Sequence, residues 1–103
     1  MQELLAAVAR QDDGEAERLA LLLTAADEPA LLELLASTNE DERWWAVRGL
    51  ALVGSKDSIA PLEQKLRDEA PAVRAAAALA LAQLNTRYPE DTAAQLEAVA
   101  DLL

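Results

Sequence analysis

Apolar residues recur along this chain three or four positions apart, and short polar breaks stop every run before it grows long. No stretch alternates apolar and polar residues in the manner of a strand. The pattern predicts seven helices, near 1–10, 14–24, 27–36, 39–53, 58–67, 71–84 and 90–103. Their boundaries carry recognisable signals. Asp27 stands as N-cap ahead of Pro29, and proline is tolerated in a first turn because its missing N–H has no helical partner there. Asn39 and Glu42 have capping-box spacing, with Asn in the place of Ser or Thr. Gly54 is positioned as a C′ residue. Asp57 or Ser58 caps the helix that holds Pro61, and Pro71 opens the next. The last helix places Leu96, Val99, Ala100 and Leu103 on one stripe. Helices this short do not persist alone in water, so each must bury a face against a neighbour.

The pattern also repeats at a longer period. Leu4, Leu35 and Leu66 are spaced by 31 residues, as are Leu19, Leu50 and Leu81. Ala20, Ala51 and Ala82 follow the same offset, and so do Leu22, Val53 and Leu84. A period of this size marks stacked supersecondary units, which bury together an interior that one unit cannot make. The expected fold is all-α, an α–α superhelix of about three helical hairpins with a helix at either end. The whole chain, 1–103, reads as one repeat domain. Its clear units lie at 39–84, a degenerate unit at 12–36 and a divergent cap at 86–103. Ala46, Gly49, Leu50 and Val53 form the expected buried stripe of the fourth helix. Small residues (Ala46, Gly49, Ala77, Ala80) allow close helix approach, while Leu50, Leu62, Leu66 and Leu81 fill the layer between hairpins.

Residues 39–84 resemble the HEAT-like repeat of the phycobilisome-lyase type. The matching string is Asp68-Glu69-Ala70-Pro71-Ala72-Val73-Arg74, followed by Ala77, Leu81 and Leu84. One period earlier stand Arg43, Ala46, Leu50, Val53 and Gly54, then Ile59, Leu62 and Leu66. The resemblance implies that Arg43 and Arg74 are ladder residues pairing with an acid in the turn between units, with Asp68 as acceptor. Ser37 occupies the equivalent of Asp68 one unit earlier, so that rung is expected to lack a carboxylate. The same resemblance implies either a binding platform or a chaperone or lyase-type subunit acting on a pigment-binding protein. Some proteins of this repeat class are DNA-repair enzymes.

Opposite the buried stripe of the fourth helix, a rotation of about 100° per residue places Trp44, Arg48, Ala51 and Leu52. The corresponding outward positions are Ala75, Leu79 and Ala82 in the sixth helix, and Ala20 and Leu21 in the second. Trp45 falls at the edge of the core stripe. Leu21, Trp44, Leu52 and Leu79 thus outline an apolar strip, with Arg48 beside it, where a free solenoid keeps polar residues. Exposed apolar patches mark contact surfaces, and Trp and Arg are common anchors within them. The opposite face carries Glu33, Glu63, Gln64 and Arg67 and reads as a solvated surface.

Composition narrows the chemistry. Cysteine and histidine are absent. That excludes disulfides, thiolate and zinc–thiolate sites, and the side chain that most often works as a general base near neutral pH. The three glycines form no phosphate loop. The acidic runs at 12–15, 40–42 and 90–91 lack calcium-loop spacing and sit at expected helix starts, where the macrodipole favours carboxylates. The expectation is a protein without catalytic, metal or cofactor residues. Net charge is −10, and residues 1–42 carry −9 of it, with two arginines against eleven acids. Such a surface repels nucleic acid and anionic membranes. No run of about 20 apolar residues spans a membrane, and no basic flank or apolar run marks a signal peptide. The expectation is therefore a cytoplasmic scaffold or adaptor that binds another protein or a second copy of itself.

Overall fold

Every regular element among the described residues is helical, and the computed structural model describes residues 1–102, without the side chains of residues 98, 101 and 102. The elements are α1 (Gln2–Ala9), α2 (Asp13–Ala20), α3 (Glu28–Leu34), α4 (Glu40–Val53), α5 (Ile59–Lys65), α6 (Pro71–Asn85) and α7 (Pro89–Leu102). Short 3-10 turns at Ala25–Asp27 and Lys56–Ser58 lead into α3 and α5. The chain is an α-helical solenoid of short units, 36 × 27 × 21 Å overall.

The first helices of successive units, α2, α4 and α6, lie side by side, and the α4–α6 contact is the most extensive in the molecule. Each second helix packs forward onto the next unit. Thus α3 lies on α4 and α5 on α6, while α7 covers α6 and touches α5. α1 pairs with α2 and reaches α4.

Two cores result. The larger joins Leu31, Val47, Leu50, Leu62, Leu81 and Leu84, all fully buried, with smaller residues between them. Burying one such side chain contributes about 1.5–3 kcal/mol. The smaller core holds Leu4, Ala7, Val8, Ala16, Leu19 and Ala20 of α1 and α2 and is closed from α4 by Trp45. Gly49 lies where α3 crosses α4. A methyl group there would stand 2.9 Å from a terminal carbon of Leu31, so the absence of a side chain sets the helix separation.

Several boundaries differ from the sequence expectation, each for a local reason. α2 ends at Ala20, so Leu22 lies in the following turn and is exposed although Val53 and Leu84 in the same register are half-buried and buried. Asp27 occupies the N-cap position of α3, but its carboxylate turns back to accept from the Thr24 N–H at 2.9 Å and caps the 3-10 turn. Ser58 occupies the N-cap position of α5 as expected but makes no side-chain cap bond there, and Ser55 caps the 3-10 turn before it. Asn39 accepts from the Glu42 N–H at 3.1 Å as expected, while the Glu42 carboxylate takes the Ser37 hydroxyl at 2.7 Å instead of closing the box. Gly54 is extended (φ −65°) and not left-handed. Its role is steric, since a Cβ would meet the Leu50 carbonyl oxygen at 2.5 Å. In α7, Leu96 and Val99 pack against the larger core and Ala100 is exposed, while Leu103 lies outside the described residues. No helix among the described residues is long and apolar enough to cross a membrane.

Candidate functional site

α4 carries the two tryptophans because an apolar face and a capped start place residues 44 and 45 within its first two turns. Adjacent residues on a helix point about 100° apart. Trp45 therefore enters the smaller core and is 7% exposed, while Trp44 stays half-buried at the surface. The rings meet edge to face, with centroids 4.8 Å apart and planes at 78°, a favourable quadrupolar arrangement. Trp44 thus stands as a ridge braced edge to face against Trp45.

The Trp44 ridge separates two depressions. One, of about 470 Å³, is bounded by Trp44, Trp45, Ala72 and the carboxylates of Asp13, Glu17, Glu40 and Asp41. The other, of about 390 Å³, runs between α4 and α6. Trp44, Arg48 and Leu79 form its walls, and Ala51, Ala76 and Ala80 lie along it. Leu79 is 69% exposed on this groove. The four carboxylates of the first depression do not converge. Among the described residues, no group of three acids is close enough to hold a metal ion.

The structure brings together three of the five residues expected to form a contact strip. Trp44, Arg48 and Leu79 line one groove. Leu52 is half-buried and packs on the smaller core. Leu21 is 63% exposed at the C-terminus of α2 and lines neither depression. Two alanines expected to face outward are buried. Ala20 is enclosed by α1, and Ala51 lies beside the α6 side of the groove. A methyl group is too short to stay exposed beside a close neighbouring helix. Arg48 is also not a free cation. Its guanidinium donates through Nε and Nη2 to the Glu17 carboxylate of α2, with the Nε contact at 3.3 Å.

The ladder residues divide. Arg43 is 6% exposed and grips Asp68 with both arms of its guanidinium, at 3.1 and 3.2 Å. It also donates to the Ser37 carbonyl at 3.0 Å. Arg74 makes the same carbonyl contact one unit later, to the Asp68 oxygen at 2.7 Å, but reaches no carboxylate among the described residues. The position one period beyond Asp68 is Val99, which carries no carboxylate. Burial pushes the Asp68 carboxyl up, but the Ala70 N–H, the Arg43 bonds and the nearby Arg43 and Lys65 charges outweigh it and hold the group below the usual value.

Three polar contacts were not anticipated. Glu17 pairs with Arg48 across one full period, so opposite charges 31 residues apart were the available signal. Glu28 reaches across to the next turn and accepts from the Ser55 N–H (2.7 Å), the Ser55 hydroxyl (2.9 Å) and the Ser58 hydroxyl (2.5 Å). Burial raises the Glu28 carboxyl, and these donors more than reverse that, leaving it lowered. Arg87 donates to the Ala51 and Leu52 carbonyls at 2.8 and 3.0 Å, satisfying the exposed end of α4. No spacing rule in the sequence points to the last two.

Comparison with known proteins agrees with this architecture. HEAT repeats are matched over residues 28–102. The chain is 47% identical over 64 residues to the bilin biosynthesis protein RpcF of Synechococcus sp. (strain WH8020). That alignment covers 61% of this chain and 31% of the relative, so the chain spans about a third of that protein's length. No solved structure matches the chain. The helical stack, its 31-residue register and the match across most of its length together place the chain in the HEAT-repeat family.

Proposed function

We propose that this protein is a non-enzymatic recognition module, a small scaffold or adaptor that binds another protein through the α4–α6 face. The observation that carries the reading is the half-exposed Trp44 ridge, braced by Trp45, which lines an apolar groove together with the exposed Leu79. Aromatics braced in this way lose little entropy on contact and dominate interface energies. Trp44, Arg48 and Leu79 form the centre of the surface, with Leu52 and Leu21 at its margin. The Arg43–Asp68 ladder and Arg74 hold the units in register beneath it. The occupant is another protein or a second copy of the chain. A net charge of −10 supports a partner other than nucleic acid or membrane, and the lack of cysteine suits a cytoplasmic setting.

Cross-linking from a photoreactive residue placed at Leu79 tests this reading. Adducts in host extract are expected to disappear when Trp44→Ala is added, with an affinity loss of about 2 kcal/mol for the isolated pair. Adducts indifferent to Trp44 overturn it. The identity to a bilin biosynthesis protein supports a second reading, a chaperone or lyase-type subunit acting on a pigment-binding protein. Titration with a free bilin distinguishes that role through a shifted pigment absorbance.

A further inference from the structure

The groove beside Trp44 is asymmetric in charge, and the asymmetry specifies an occupant. Its α4–α6 segment is walled by Trp44 and Leu79 with alanines between them. Past the Trp44 ridge, the surface turns acidic, with Asp13, Glu40 and Asp41 exposed around the first depression. Ala72 lines the acidic end and Gln83 the apolar end, so the two depressions run in sequence along α6. Eleven helical steps separate these residues, roughly 16 Å or three turns. The cation lining either depression, Arg48, is already bound to Glu17. Arg48 thus offsets Glu17 alone; Asp13, Glu40 and Asp41 form no ion pair among the described residues, and the N-terminal part of the chain around them is strongly negative.

We propose that the face binds a short amphipathic segment of another protein whose apolar residues fill the α4–α6 groove and whose Lys or Arg lies at one end, beside Trp44 and the carboxylates. This rests on the reading of the face as a protein-binding surface and adds the chemistry of the partner. A cation at that end meets both carboxylates and an indole, and the two attractions reinforce each other. The same charge pattern disfavours a second copy of the chain as occupant. Two-fold pairing about this face would bring acidic ends toward each other or onto a groove whose arginine is committed.

Selection of a random twelve-residue peptide library on the intact protein tests the proposal, with Leu79→Asp and Trp44→Ala as separate counter-targets. The Leu79 change is on an exposed side chain and keeps the test valid if Trp44→Ala impairs folding, which circular dichroism checks. The selected peptides are expected to combine apolar residues with terminal Lys or Arg. Their affinity should fall at least tenfold from 50 to 500 mM salt, and several-fold in Asp13→Asn/Asp41→Asn. They should lose binding to Leu79→Asp. Peptides that need Leu79 but carry no basic residue and ignore salt overturn the charge assignment and leave the binding surface standing. Peptides indifferent to Leu79 and Trp44, or no enrichment at all, overturn both. Sizing of the unliganded protein completes the test. A dimer dissolved by Leu79→Asp makes a second copy the occupant and overturns the basic-segment assignment.

Discussion

Arg43 and Asp68, 25 residues apart, form a two-armed ion pair that is almost fully withdrawn from solvent and ties the start of α4 to the turn before α6. Each group has other partners: the Ser37 carbonyl for Arg43, and the Ala70 N–H and Lys65 for Asp68. Removing one member strands the other charge, which costs more than the pair itself contributes. Asp68→Ala is expected to destabilise the fold by about 3 kcal/mol. Arg43→Met combined with Asp68→Leu should be less damaging than Asp68→Ala alone. Urea denaturation of the three proteins measures this, and an unchanged midpoint for Asp68→Ala removes the pair from the account of stability.

Glu28 and Asp68 contribute to the acid limb of the stability profile. Both carboxyls lie below their ordinary values in the folded chain. The unfolded chain then binds protons more readily than the folded one. The stabilisation is fully present above the unfolded values, near 4, and is lost as the pH falls through the lower folded values. Melting temperature should be nearly level from pH 8 to pH 5 and decline steeply below about pH 4. Glu28→Gln should cost about 1–3 kcal/mol at neutral pH and make the acid decline shallower. An acid limb of equal steepness in wild type and variant contradicts this assignment.

Leu50 and Leu79 offer a contrast between a core residue and a surface one with the same side chain. Leu50 is fully enclosed between α4 and its neighbours, whereas Leu79 stands open on the groove. Leu50→Ala leaves a cavity and should lower stability by about 2–5 kcal/mol. Leu79→Ala should stay within about 0.5 kcal/mol of wild type. Thermal denaturation of both variants separates the roles, and a Leu50→Ala melting point equal to wild type would sink the proposed core stripe.

The architecture was legible because stacking reports itself twice, once in the helical spacing and once in the 31-residue register. Leu50, Leu81, Leu62 and Leu66 are buried as the register implies. The register misleads where a helix stops early, as at Leu22, since a residue in a turn no longer shares the phase of its equivalents. Alanine was the second source of error. Ala20 and Ala51 point away from the main stripe, but α1 and α6 lie close enough to cover a methyl group. Helical phase gives direction and not the distance to the next helix. The candidate site was legible in Trp44, Arg48 and Leu79, whose equivalents lie on adjacent first helices. Engagement of Arg48 by Glu17 and the reach of Glu28 to Ser55 and Ser58 depend on inter-helix separation, which the pattern does not encode.

Gln11 is the one non-glycine residue with positive φ among the described residues. α1 ends in a Schellman arrangement, in which the Asp12 N–H bonds the Ala7 carbonyl and the Gln11 N–H bonds the Val8 carbonyl, both at 3.0 Å. This closure requires a left-handed residue at position 11, and Gln11 has φ 58°. Glycine ordinarily occupies such a position, because a Cβ there crowds the carbonyl at a cost of about 1–2 kcal/mol. Gln11→Gly relieves that crowding and, in return, loosens the unfolded chain. The net expectation is a gain of up to about 1 kcal/mol, and Gln11→Val, β-branched at the same position, should lose stability. Gln11 is exposed and touches neither core, so packing does not confound the comparison. Equal melting temperatures for the glycine and valine variants contradict a left-handed requirement at this turn, and with it the rigid hand-over from α1 to the smaller core on which Trp45 closes.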